Sequence, residues 1–192
     1  TIDGNETAGA AADHYIDAST VSTGVVTFQM EGATTAKNDS FYGGAGDDIV
    51  IVGVTLQTSA LIAELEATDV LDGNGGTDTI KINNAGDAST GGAGAAKVVI
   101  DFDLVTEFEK IVVTDANGST TAADYIKIEL SASVTTALTP ATFEVDASVI
   151  TDADDDLIFN YDADNTAVTN SALTTKFTVK GGAGDDTIYG AT

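Results

Sequence analysis

Against 31 acidic residues this 192-residue chain sets only 7 basic ones, all lysine, for a formal net charge of −24. Such a surface repels nucleic acid and anionic lipid, and without arginine there is no bidentate clamp for phosphate. The absence of cysteine excludes disulfides and thiolate metal sites, while 43% hydrophobic content is enough for a sizeable core.

The predicted elements are short strands. Residues 25–30 (VVTFQM), 49–52 (IVIV), 79–82 (TIKI), 98–102 (VVIDF), 111–113 (IVV), 126–130 (IKIEL) and 177–179 (FTV) are rich in β-branched residues and bounded by Gly, Asp, Asn and Ser. That alternation is the signal of half-buried strands. One interruption is predicted: residues 56–67 (LQTSALIAELEA) place Leu56, Ala60, Leu61, Ala63 and Leu65 near helical spacing, which reads as one short inserted helix. A second turn of helix over 104–109 is a weaker reading. The stretches Ile16-Asp17-Ala18-Ser19 and Val145-Asp146-Ala147-Ser148 repeat a strand end running into a turn and suggest two similar units, 1–100 and 101–192. No run of eighteen apolar residues predicts membrane insertion, and residues 1–5 (TIDGN) do not read as a signal peptide.

A nine-residue repeat overrides the count of strands. Residues 43–51 (GGAGDDIVI) and 181–189 (GGAGDDTIY) fit G-G-x-G-x-D-x-U-x, where U is a large apolar residue, and 73–81 (GNGGTDTIK) is a weaker copy with Asn74 for the second glycine. Upstream, 39–42 (DSFY) and 69–72 (DVLD) supply further D-x-U-x halves, so Asp39 and Asp48, like Asp69 and Asp78, lie nine residues apart. Before the third copy Phe177 stands where the aspartate is expected. Both ends of the chain fall within the pattern, and the expectation is one elongated segment, 1–192, of a longer repetitive protein.

Glycines let backbone carbonyls turn toward one point, and an aspartate beside them adds a carboxylate. These are the hard oxygen donors that Ca2+ takes six to eight at a time, whereas magnesium demands strict octahedral geometry and keeps its water. The three residues after the aspartate form a strand whose middle residue (Val50, Ile80, Ile188) points into a narrow core. The fold class expected is therefore all-β: a right-handed parallel β-solenoid, of β-roll or β-helix type, with calcium turns and the one inserted helix.

On these nonapeptides the sequence resembles the RTX family of secreted calcium-binding proteins. With its Thr/Ala/Val-rich strands, D-A-S turns and residues 102–113 (FDLVTEFEKIVV), it is similar in texture to the β-solenoid regions of bacterial S-layer proteins and large adhesins. The resemblance implies type I secretion, calcium-triggered folding outside the cell, and a structural or adhesive role at the cell surface. Carried over residue by residue, it implies ligands from the carbonyls of Gly43, Gly44, Ala45 and Gly46 with Asp48; Gly73, Asn74, Gly75 and Gly76 with Asp78; and Gly181, Gly182, Ala183 and Gly184 with Asp186. Asp47 and Asp185 either add a ligand or sit in solvent. In a full β-roll each ion is shared between a nonapeptide and the one two repeats later, yet no three complete copies follow one another here. Asp39, Asp69, degenerate turns or flanking sequence then complete the sites. The run 152–156 (DADDD) lacks glycines and stands between a calcium loop and a solvated one.

No catalytic pattern is present. His14 is the only histidine, there is no H-E-x-x-H, G-x-S-x-G or phosphate-binding loop, and His14 reads as an ordinary surface or strand residue. The leading expectation is thus a non-enzymatic, extracellular structural protein that self-assembles into a surface layer, filament or matrix. Its rivals are an adhesin stalk or virion or cell-surface fibre meeting a cell-surface polysaccharide, and a secretion and folding module of a hydrolase.

Overall fold

A computed structural model describes residues 2–3, 13–30, 38–52, 68–84, 95–100, 104–115, 125–130, 142–151, 156–160 and 176–189. Among these residues the chain is all-β, without a helix. The strands are β1 (Ile2–Asp3), β2 (Tyr15–Asp17), β3 (Thr27–Gln29), β4 (Ser40–Tyr42), β5 (Ile49–Val52), β6 (Val70–Asp72), β7 (Thr79–Asn84), β8 (Ala95–Ile100), β9 (Val105–Thr106), β10 (Lys110–Asp115), β11 (Tyr125–Leu130), β12 (Thr142–Asp146), β13 (Asp156–Asn160), β14 (Lys176–Lys180) and β15 (Thr187–Tyr189).

They form three open sheets, in which every pairing is parallel. Sheet A runs β1-β3-β5-β7-β10-β12-β14, sheet B β2-β4-β6-β9, and sheet C β15-β13-β11-β8. Up to β7 the chain alternates between A and B, and from β10 onward between A and C. Parallel neighbours cannot be joined by a tight hairpin. Each strand of A therefore reaches its partner only after a visit to another sheet, 22 residues on from Phe28 to Val50 and 34 on from Ile111 to Val145.

Register follows from side-chain alternation. Ile2, Phe28, Val50, Ile80, Ile111, Val145 and Val179 share one row across sheet A. From Phe28 to Val145 that row is buried, and Val179 packs against it. A slip of one residue would turn the whole row to solvent, so the hydrophobic pattern fixes the pairing. Phe28 of sheet A stacks on Phe41 of sheet B with ring centroids 5.8 Å apart and planes 5° from parallel, and Phe159 of sheet C meets Phe177 of sheet A at 6.0 Å. One core serves all three sheets. Truncating its centre, Ile80→Ala, is expected to cost about 2–5 kcal/mol in urea denaturation.

Two helical expectations fare differently. Residues 56–67 lie outside the described residues. Residues 104–109, however, are not helical: β9 occupies the middle, and Glu107 turns the chain at φ +55°. Sheet pairing wins there because Leu71 N–H donates to Leu104 O at 2.9 Å, an acceptor a helical turn would withdraw.

The outer face of sheet A carries an ion ladder over β10, β12 and β14. Lys110 Nζ lies 2.9 Å from Glu144 Oε1 and 3.2 Å from Asp146 Oδ2, and Lys180 Nζ reaches the same two oxygens at 3.0 and 3.5 Å. The Lys110 and Lys180 ammoniums hold the Glu144 carboxyl below its usual range, and the Ser148 hydroxyl, with lysine help, does so for Asp146. Carboxyls depressed on folding stabilise the fold above their ordinary pKa, and that support is lost as the pH falls through the folded value. Glu144→Gln should therefore reduce the steepness of acid unfolding below about pH 4.5 and alter stability little at neutral pH, since exposed pairs are worth about 0–1 kcal/mol.

Candidate metal centre

The three glycine turns occupy two kinds of corner. The first copy carries the chain from β4 to β5 and the second from β6 to β7, both from sheet B to sheet A, whereas the third joins β14 to β15, from A to C. The first two are neighbours, one strand apart in each sheet. Gly43 N–H donates to Asp72 O at 2.7 Å, Gly75 N–H to Gly44 O at 3.1 Å, and the Asn74 amide to Gly43 O at 2.7 Å.

Preceding the first and third copies stand the two D-A-S turns, built alike. Asp17 Oδ1 accepts from Ser19 N–H and Oγ–H at 3.0 and 2.6 Å, and Asp146 Oδ1 from the same groups of Ser148 at 3.1 and 2.5 Å. The alanine between them is buried in both turns. Its N–H donates to the strand end just before a glycine turn, Ala18 to Tyr42 O and Ala147 to Lys180 O. Locally, then, the recurrence seen in sequence is a recurrence in space: a D-A-S turn fills the corner beside a GGAGDD turn.

The aspartates that close each repeat form a ladder. Asp48 Oδ1 accepts from Val26 N–H at 2.7 Å, Asp78 Oδ1 from Asp48 N–H at 2.6 Å, and Glu109 Oε2 from Asp78 N–H at 2.6 Å. Each carboxylate thus fastens the main chain of the strand before it. Asp39 and Asp69 make a second stack, at the start of β4 and β6: His14 N–H donates to Asp39 Oδ1 at 2.8 Å and Asp39 N–H to Asp69 Oδ1 at 2.9 Å. His14 Nδ1 lies 3.2 Å from the same Asp39 oxygen, so the histidine occupies the position that the aspartates hold in later strands. At the far end Asp186 Oδ1 accepts from Leu157 N–H at 2.9 Å, and Asp185 N–H donates to Asp156 Oδ1 at 2.8 Å.

Asp39, Asp48, Asp69 and Asp78 are all buried, while Asp186 is only half-buried. The structure therefore brings together the candidate residues of the first two copies and leaves Gly181, Gly182, Ala183, Gly184 and Asp186 at another corner. Of the remaining candidates, Ala45 and Gly76 are exposed, Gly46 and Gly75 half-buried, and Asn74 exposed with its amide on Gly43 O. Asp47 Oδ1 accepts from Thr77 N–H at 2.9 Å. Residues 152–155 lie outside the described residues. Sequence reasoning missed Glu109, which stands two residues before the buried Ile111 as Asp78 stands before Ile80; the signal was E-x-U in place of D-x-U.

The first glycine of each copy lies flat on its own aspartate. A methyl group at Gly43 would sit 2.5 Å from both Asp48 Oδ2 and the Gly73 carbonyl oxygen; at Gly73 it would meet Asp78 Oδ2 and the Glu107 carbonyl oxygen. Carboxylate and carbonyl oxygens from adjoining strands thus crowd the same glycine, where no side chain fits. Asp78 Oδ2 is buried and has no hydrogen-bond partner among the described residues. Burial, joined by the negative charges of Glu109, Asp48 and Asp47, pushes the Asp78 carboxyl up to about 7 against the pull of the Asp48 N–H. Burial likewise raises Glu109. Among the described residues no three His, Cys, Asp or Glu side chains converge as a metal cluster. A cation here would take carbonyls with single carboxylates, a donor set that suits calcium.

The cradle gives a direct contrast. Gly43→Ala is expected to lower stability by about 2 kcal/mol or more, because backbone on one side cannot yield, whereas Gly75→Ala, with nothing within 4 Å of the new methyl, should change it by no more than about 0.5 kcal/mol. Urea midpoints of the two variants check this. Compared with protein-family models, curated proteins and solved structures, the chain matches none.

Proposed function

We propose that this chain is a segment of an extracellular, calcium-binding structural protein of RTX type, a right-handed parallel β-solenoid that assembles with copies of itself into a surface layer, filament or matrix. The observation that carries the reading is the pair of stacked glycine turns, where buried carboxylates and main-chain carbonyls crowd the same glycines and one carboxylate oxygen has no hydrogen-bond partner among the described residues. Parallel pairing by way of another sheet supports the solenoid, and such crossovers are right-handed in about 98% of cases.

Calcium serves two ends in this reading. Within the chain it neutralises carboxylates that the fold crowds together. Between chains it offsets the repulsion expected of a net charge of −24. No catalytic role is proposed, and type I secretion to the cell surface follows from the RTX resemblance.

Electron microscopy of the protein in millimolar calcium tests the assembly. Sheets or filaments that dissolve on chelation are expected; particles that stay monomeric with and without calcium would overturn self-assembly and favour an adhesin stalk or a secretion module.

A further inference from the structure

We infer that the second glycine turn, the one least faithful to the repeat, is the principal cation site, and that it is completed from outside the repeat by the main-chain carbonyl of Glu107. This rests on the calcium reading above and adds to it which turn binds and with what.

The first and second turns differ at three positions, Gly44 against Asn74, Ala45 against Gly75 and Asp47 against Thr77, and the first of these changes what the aspartate accepts. In the first, Gly44 N–H donates to Asp48 Oδ2 at 2.5 Å, so both oxygens of that carboxylate are engaged. In the second, Asn74 replaces this glycine and adopts φ +63°, and its N–H donates instead to Asp72 Oδ1 at 3.1 Å. Asp78 Oδ2 is left without a donor among the described residues, on a residue with 0% exposure. An unsatisfied buried carboxylate oxygen is costly, so a ligand that supplies positive charge there gains what the fold lacks.

The opposite side of the cradle is equally specific. Where Gly43 faces the Gly73 carbonyl of the next glycine turn, Gly73 faces the Glu107 carbonyl, although the chain there has no glycine turn at all. The connection between β9 and β10 is only Glu107, Phe108 and Glu109. Glu107 reaches the position by taking φ +55°, a conformation uncommon for a residue with a Cβ. Phe108 is buried, and Glu109 Oε2 fixes the Asp78 N–H. The short turn thus presents a carbonyl oxygen in the place that a third nonapeptide would otherwise fill. Fidelity to the repeat and availability of oxygen run in opposite directions, since the perfect first copy has spent its second carboxylate oxygen on Gly44.

Calcium titration calorimetry on the wild type, Asp78→Asn, Asp48→Asn and Asn74→Gly tests this, with circular dichroism to confirm that each variant is folded. Asp78→Asn should weaken the tightest binding event at least tenfold, and by more than Asp48→Asn does. Asn74→Gly, which restores the repeat and keeps the carboxylate, should also weaken it by returning an N–H to Asp78 Oδ2. A tightest event lost in Asp48→Asn and kept in Asp78→Asn overturns the assignment alone, as does tighter binding in Asn74→Gly. No calcium binding by the wild type would overturn the calcium reading together with it.

Discussion

Asp48→Ala is expected to be the most damaging single change at the glycine corners, whether or not calcium is present. The alanine removes the acceptor of Val26 N–H and of Gly44 N–H together, at a site that is fully buried. Each orphaned donor costs about 1–3 kcal/mol, so the loss should be on the order of 2–6 kcal/mol in calcium-free buffer. Asp186→Ala removes the acceptor of Leu157 N–H at a half-buried corner and should cost less than half as much. Urea denaturation of both variants in chelator reads the difference. If Asp48→Ala falls within about 0.5 kcal/mol of the wild type there, the ladder does not hold the strands. The comparison also matters for metal work, because lower calcium uptake by Asp48→Ala would combine a lost ligand with a loosened corner.

Calcium-depleted protein should be more heat-stable at pH 5 than at pH 8 through Asp78. Its carboxyl is raised to about 7 in the folded chain and returns to the ordinary carboxylate range on unfolding. Between about pH 4 and pH 7 the folded state therefore holds a proton that the unfolded state has released. By linkage its contribution declines with rising pH by up to about 1.4 kcal/mol per unit across that window, and is flat on either side. The Lys110–Glu144 ladder does not mask this, since carboxyls depressed on folding lose their support only at lower pH. Saturating calcium selects the ionised carboxylate and should shrink or reverse the difference. Thermal melts at pH 5 and pH 8, with and without calcium, check the sign, and Asp78→Asn isolates the residue. An Asp78→Asn protein that keeps the full pH 5 advantage would show that the effect arises elsewhere.

What the sequence disclosed was the short-range code. The buried Val50 and Ile80 and the aspartates two residues ahead of them are visible because alternation and the D-x-U spacing are local, whereas Ile188, expected inward by the same code, is 52% exposed. What it hid was the length of each excursion. The segments between consecutive strands of sheet A vary too much to leave a period, so nothing in the repeat told that the first and second glycine turns join sheet B to sheet A while the third joins A to C. Glu109 was missed because glutamate replaces aspartate and the glycines are absent before it. Phe177, which breaks the third copy's upstream half, has a spatial reason. It pairs in register with Phe143, ring centroids 5.8 Å apart, in the same row as Asp78 and Glu109, so an aromatic pair continues a column of carboxylates. Asn74, read as erosion of the repeat, is the residue that frees Asp78 Oδ2.

The claim that calcium at the glycine turns secures the fold is tested most directly by far-ultraviolet circular dichroism through a thermal melt, in calcium and then in EGTA at pH 7.5. Occupancy of one site at a hundred times its dissociation constant adds about 2.7 kcal/mol to stability. The expected result is a midpoint that drops by several degrees or a β signal that disappears in EGTA, restored by calcium and not by magnesium. The same spectrum and the same midpoint in EGTA as in calcium would contradict it.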